Sequence, residues 1–218
     1  MPDKLKAIIF DLDGTIADSF HVGLEVANAL AKKYKYKPIV DSLAIRDLSS
    51  KEFIVSHLKL GKIRLLLWAM EVKRILSQRN DDIKIFPGIK DALEELAKHY
   101  RLGILTSNST PNSLKILESN GIGHCFSFMY TNCPAFGKSR YLKKLIKAEK
   151  YRKSNVIYVG DEIRDLDSCV KVGVTMIAVT WGANSARILQ EAGAHYFASK
   201  PWDLVAIAKS IKGVQEAR

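Results

Sequence analysis

The run Ala7-Ile8-Ile9-Phe10 leads straight into Asp11-Leu12-Asp13-Gly14-Thr15. An apolar stretch of strand length, begun at Leu5 and closed by a polar turn, reads as a buried strand that delivers two carboxylates at its end. The same pattern recurs at 102–105, 126–130, 156–159 and 175–179, and more weakly at 195–198. Helical periodicity fills the intervals, over 89–99, 111–120, 141–150, 164–172, 186–192 and 202–211. Strand and helix in alternation predict an α/β fold, a doubly wound parallel sheet covered on both faces.

Residues 16–82 break this rhythm. Val22, Val26, Ala29 and Leu30 share one helical face, and Phe53, Val55, Leu58, Leu65, Leu66 and Met70 point to further helices, with no strand between them. A helical insertion after the first strand is expected, with 1–15 and 83–218 forming the sheet domain and 16–82 a small cap.

The length suits one large domain, or one medium domain carrying a small insertion. The 218 residues are 47% apolar and 26% charged, which excludes disorder, collagen-like repeats and coiled coil as the main architecture. The longest apolar stretch, 63–70, is interrupted by Arg64 and is too short to span a bilayer. No signal-peptide pattern precedes Asp11, so a cytoplasmic protein is expected. Cys125, Cys133 and Cys169 have neither metal-ligand spacing nor an even count, and are read as reduced thiols.

Net charge is +11, with eight basic residues and one acid, Glu149, between positions 138 and 153. Leu142, Leu145 and Ile146 give that segment an apolar stripe, so it reads as a helix with a solvated basic face; attraction of anionic ligands is the alternative. Lys32-Lys33-Tyr34-Lys35-Tyr36-Lys37 is read as the polar end of a helix stopped by Pro38. Without a zinc-finger or RNA-binding motif, nucleic acid is not the expected partner.

In open parallel sheets, ligands bind beyond the carboxyl ends of the strands. Those ends read Asp11-Leu12-Asp13-Gly14-Thr15, then Thr106-Ser107-Asn108, then Gly160-Asp161-Glu162-Ile163-Arg164-Asp165, with Phe136-Gly137-Lys138-Ser139 before the basic helix. One such aspartate is an ordinary helix N-cap. Asp11, Asp13, Asp161 and Asp165 converging on one edge repel one another unless a cation joins them. Oxygen donors without Cys or His favour a hard ion such as Mg²⁺.

These motifs, in this order, resemble the haloacid dehalogenase-like hydrolases, and Ile85-Phe86-Pro87-Gly88 resembles the segment after the cap in phosphoglycolate phosphatase-like members. The resemblance covers essentially the whole chain. It implies a nucleophile at Asp11, which forms an aspartyl-phosphate, and a general acid and then base at Asp13. It also implies phosphate contacts from Thr106, Ser107, Asn108 and Lys138. Mg²⁺ is implied between the carboxylates of Asp11 and Asp161 and the backbone carbonyl of Asp13, with Asp165 in support. An acid at position 13 is what a phosphatase or phosphomutase of this family needs and a dehalogenase lacks. Many relatives carry Asn at position 107 and Lys-Pro at 138–139, where this chain has Ser107 and Lys138-Ser139, and Asn108 is expected to take over part of the missing contact.

The expectation is therefore a Mg²⁺-dependent phosphatase for a small phosphate ester. A phosphomutase of the same fold and a non-catalytic basic binding protein are the alternatives. Thr180-Trp181-Gly182-Ala183-Asn184 is read as a helix-leading loop anchored by Trp181, with contact to substrate or metal-bound water as the other possibility. His21 is read as a helix-surface residue, and Ser50 as either an N-cap or a substrate ligand.

Overall fold

A computed structural model describes residues 5–79, 82–134 and 137–216, the side chains of 212–216 excepted; Phe136, quoted above, lies outside them. Six strands form one parallel sheet in the order β3-β2-β1-β4-β5-β6. They are β1 (Ala7–Phe10), β2 (Arg101–Leu105), β3 (Phe126–Tyr130), β4 (Val156–Gly160), β5 (Thr175–Val179) and β6 (Tyr196–Ala198). The helices of the sheet region are α5 (Ile89–Ala97), α6 (Thr110–Ser119), α7 (Lys138–Ala148), α8 (Ile163–Val172), α9 (Ala186–Glu191) and α10 (Pro201–Glu216). All six apolar runs read from the sequence are strands, and every helix expected between them is present.

Side-chain alternation along the strands divides the core into two layers. Ile8, Phe10, Leu102, Ile104, Ile157 and Val159 pack on one face with residues of α5, α6 and α10. Ala7, Ile9, Leu105, Val156, Tyr158 and Ala178 pack on the other with α7, α8 and α9. Strands buried on both faces explain why the sequence shows continuous apolar runs rather than alternation.

Between β1 and α5 lie α1 (Phe20–Tyr34), α2 (Ser42–Arg46), α3 (Ser50–Glu52), a π-helical turn (Phe53–Leu58) and α4 (Lys62–Gln78). Val26, Leu30 and Tyr34 centre a separate small core that Tyr36, Trp68 and Val72 join. The aromatic residues interleaved with lysines at 32–37 are part of this packing. α1 ends at Tyr34, and Lys35 closes it in a left-handed conformation. Tyr36 then receives the Trp68 indole N–H at 3.0 Å, and the Tyr34 hydroxyl donates to Glu71 at 2.9 Å. No α4 residue is fully buried, and Ile63, Leu66, Leu67 and Met70 face outward. Ile16, Ala17 and Val22, by contrast, pack in the main core.

β1 sits where the strand order reverses, with β2 on one side and β4 on the other. The Asp11 N–H donates to the Val159 carbonyl at 2.9 Å. The two carboxylate-bearing strand ends are thereby held side by side at the switch point, where such sheets bind ligands.

Candidate active site

Asp11, Thr106, Lys138, Asp161 and Asp165, predicted from separate parts of the chain, are all buried together beyond the strand ends. One carboxylate oxygen from each of Asp11, Asp161 and Asp165 lies within 4.8 Å of the other two. α7 starts at Lys138, three residues before the expected helix, so this lysine occupies the first turn and turns inward. Its ammonium donates to Asp11 Oδ2 at 2.7 Å and Asp165 Oδ1 at 2.6 Å, with only 2% of the residue exposed. Burial by itself would lower the Lys138 pKa, but the two carboxylates outweigh it and the ammonium is held charged.

The carboxylates experience the opposite balance. Burial is the largest influence on Asp11; Lys138 only partly offsets it, Asp165 adds to it, and the pKa is pushed up to about 7. Asp161 is raised well above its ordinary value by burial and by Glu162, Asp11 and Asp165. Its oxygens accept from the Thr15 hydroxyl at 3.0 Å and the Ala183 N–H at 2.7 Å. Gly14 lets the turn approach closely, because a Cβ there would lie 2.1 Å from Asp161 Oδ2, and its φ of +73° lies in a region that favours glycine. Asp165 Oδ2 is buried without any hydrogen-bond partner. Desolvated carboxylates around an orphaned oxygen, all hard donors, fit a divalent cation such as Mg²⁺.

This arrangement sets a pH dependence in the absence of metal. Between the unfolded Asp11 pKa of 3.8 and the folded value of about 7, the folded state binds more protons. The stability this gives is complete below the lower value and is lost as pH rises through the upper one. Asp161 acts in the same direction. With chelator present, the melting temperature is expected to fall between pH 5 and pH 8, and Mg²⁺ at pH 8 to restore it. A flat profile with no response to Mg²⁺ would argue against a cation at this cluster.

Asp13 lies at the pocket edge. Asn108 Nδ2 donates to its Oδ2 at 3.3 Å, and the Asn108 N–H donates to Thr106 Oγ1 at 3.0 Å. Burial raises the Asp13 pKa, while hydrogen bonds from Ser19 and Asn108 pull it down. Ser107 lines the same pocket. Cys133 is a buried thiol whose pKa burial pushes up to about 11, so it is no thiolate nucleophile. His21 is exposed on α1, and Lys143, Lys144, Lys147 and Lys150 are exposed on and just beyond α7.

The loop after β5 leads into α9, as its helix-leading reading expects. Trp181 anchors it through the Thr15 carbonyl at 3.0 Å, and Ala183 holds Asp161. Ser50 is not the N-cap of α3. Ser49 fills that position in a capping box with Glu52, leaving the Ser50 hydroxyl to donate to Glu162 at 2.6 Å. Further polar contacts join the inserted helices to the strand-end loops. Arg46 donates to the Thr180 carbonyl at 2.7 Å, and Asn184 to the Leu48 carbonyl at 2.9 Å. Sequence reading missed these partners because most lie more than a hundred residues apart. No described helix is long and apolar enough to cross a membrane.

The family model for haloacid dehalogenase-like hydrolases matches residues 8–179. A phosphoglycolate phosphatase from Synechococcus elongatus is 35% identical over 204 residues, covering 92% of this chain and 96% of that protein. Among solved structures, a haloacid dehalogenase-like hydrolase from Streptococcus pneumoniae superposes with a TM-score of 0.78 at 25% identity, covering 93% of this chain and 98% of its own. One from Bacteroides fragilis reaches 0.80 at 21% identity over 92% and 100%, which speaks to the fold alone. With the matched segment running from β1 to the end of β5, this chain belongs to the haloacid dehalogenase-like hydrolase family.

Proposed function

We propose that this phosphatase hydrolyses a small phosphate monoester, of which 2-phosphoglycolate is the leading example, through an aspartyl-phosphate on Asp11. The observation that carries the reading is the buried Asp11–Lys138 pair with Asp13 two residues on, at the rim of a pocket of about 440 Å³. Asp11 Oδ2 attacks phosphorus while Lys138 offsets charge on the nucleophile and the phosphoryl oxygens. Thr106, Ser107 and Asn108 orient those oxygens.

Asp13 protonates the departing alkoxide oxygen and then takes a proton from the water that opens the aspartyl-phosphate. Desolvation, which favours its protonated form, suits the first of these tasks. Mg²⁺ would be held by the carboxylates of Asp11 and Asp161 and the backbone carbonyl of Asp13, with Asp165 in support. When bound it would lower the Asp11 pKa and screen the phosphoryl charge from the carboxylates. Residues 16–82 are assigned as a cap that excludes water on closing, its polar contacts at Arg46, Ser50 and Asn184 being ones that water can replace on opening.

The test separates the two tasks of Asp13. An aryl phosphate leaves with little help, an alkyl phosphate needs the proton, and both need the water activated. Asp13→Asn is expected to slow alkyl phosphates in both steps and aryl phosphates in the second, each by about 10²–10⁴-fold. Rapid quench of the variant with an aryl phosphate should show a burst of phenol, with phosphoryl label mapping to Asp11. Equal slowing of both substrates, with no burst and no label, would exclude the two-step route.

A further inference from the structure

The longest apolar run of the sequence, 63–70, is left largely uncovered by the fold. Ile63, Leu66, Leu67 and Met70 are each between 52% and 77% exposed. Their spacing of i, i+3, i+4 and i+7 puts them on one face of α4, in a stripe about 10 Å long. The opposite face gives Trp68, Val72 and Leu76 to the small core and to the pocket beside Asp13. α4 is thus apolar on both faces, whereas a surface helix ordinarily turns its charges outward. A contiguous exposed apolar stripe of this kind marks an interaction surface.

The charges stand around the stripe. From Phe53 to Gln78 there are five lysines and arginines and one acid, Glu71. That acid is already engaged, by the Lys33 ammonium at 2.6 Å and the Tyr34 hydroxyl at 2.9 Å. Helical spacing sets Arg74 in line with Ile63, Leu67 and Met70, and Lys62 and Lys73 along one edge. Arg64 lies on the other edge, where it donates to the Tyr34 carbonyl at 2.7 Å. All four cations are exposed.

We infer that the outer face of α4 docks on an anionic lipid bilayer. The helix lies in the plane of the headgroups, its apolar stripe entering the acyl boundary and its flanking cations meeting lipid phosphates. The charge pattern selects this occupant over a second copy of the chain. Two copies joined antiparallel along the stripe would set Lys62 and Arg64 of one against Lys73 and Arg74 of the other, and joined parallel each end would meet itself. Either way cations oppose cations, in a chain whose net charge is already +11. Bilayer and catalytic pocket then use opposite faces of one helix.

Sedimentation with vesicles tests this. Vesicles of phosphatidylglycerol and phosphatidylcholine are expected to carry the protein down at low salt, and less of it as salt rises; phosphatidylcholine alone should not. Leu66→Gln with Met70→Gln, both exposed and outside the pocket, should weaken partitioning by about tenfold or more at an unchanged melting temperature. Arg74→Gln should weaken it by about fivefold. Lys143→Gln with Lys147→Gln, on α7, should change it by less than about twofold, since screened charges far from the bilayer contribute little. Partitioning unmoved by the α4 pair would assign any binding to charge elsewhere and overturn the inference. No binding to the anionic vesicles at low salt would overturn it too, as would a dimer in analytical ultracentrifugation that the α4 pair dissociates. The phosphatase reading, tested in solution with phosphate esters, stands or falls separately.

Discussion

Asp11→Asn is expected to reduce turnover of every phosphate ester, alkyl or aryl, on the order of 10⁴–10⁶-fold, the scale seen when a covalent nucleophile is removed. The amide keeps the shape of the carboxylate but cannot displace an alkoxide from phosphorus. Asn retains an oxygen for either the Leu12 N–H, 2.8 Å from Asp11 Oδ1, or for Lys138, and Asp165 still pairs with that lysine. The variant should therefore melt cooperatively, with wild-type circular dichroism, while releasing no phosphate above background and taking up no label. Loss specific to the nucleophile is distinguished in this way from collapse of the site. Residual activity within tenfold of wild type would show that Asp11 does not attack phosphorus.

Lys138→Met gives the largest expected effect on stability. The lysine is buried between Asp11 and Asp165, and a side chain of similar length without charge leaves their carboxylates uncompensated. Removing one partner of a buried ion pair costs about 3–5 kcal/mol. For a chain of this size each kcal/mol shifts the melting temperature by roughly 2–4 °C, so a fall of roughly 10 °C is expected. The deficit should be greatest above pH 7 with chelator present. It should shrink as pH falls and Asp11 and Asp161, whose pKa values burial already raises, take up protons. Calorimetry across pH, with and without Mg²⁺, measures this directly. A melting temperature equal to wild type at pH 8 in chelator would mean that the lysine does not compensate the cluster.

The sheet was legible in the sequence because the relevant physics is local. Strands buried on both faces must be continuously apolar, and polar turns must end them, so 102–105 and 156–159 identified themselves as strands without reference to anything distant. Boundaries were less legible. α7 begins at Lys138 rather than at residue 141, because a lysine starting a helix gives no apolar signal until its burial against two carboxylates is known. The serine at position 50 shows the same difficulty. Ser49 and Ser50 are equally good caps by residue type, and only the reach of Glu52 back to Ser49 and of Glu162 to Ser50 separates them.

Residue identity and spacing alone determined that this chain forms a doubly wound sheet with helices inserted after β1. They also determined that aspartates gather at its strand ends. Tertiary structure decided how those aspartates differ. Asp11 and Asp165 share a lysine, Asp161 is held by Thr15 and the backbone of Ala183, and Asp165 keeps an oxygen unpaired. It alone revealed Arg164 beside Asp13, since in the sequence that arginine is one unremarked position within a motif. The reason is physical: apolar periodicity is written along the chain. The protonation of a carboxylate and the reach of a cation depend instead on burial and on through-space distances between residues far apart in sequence.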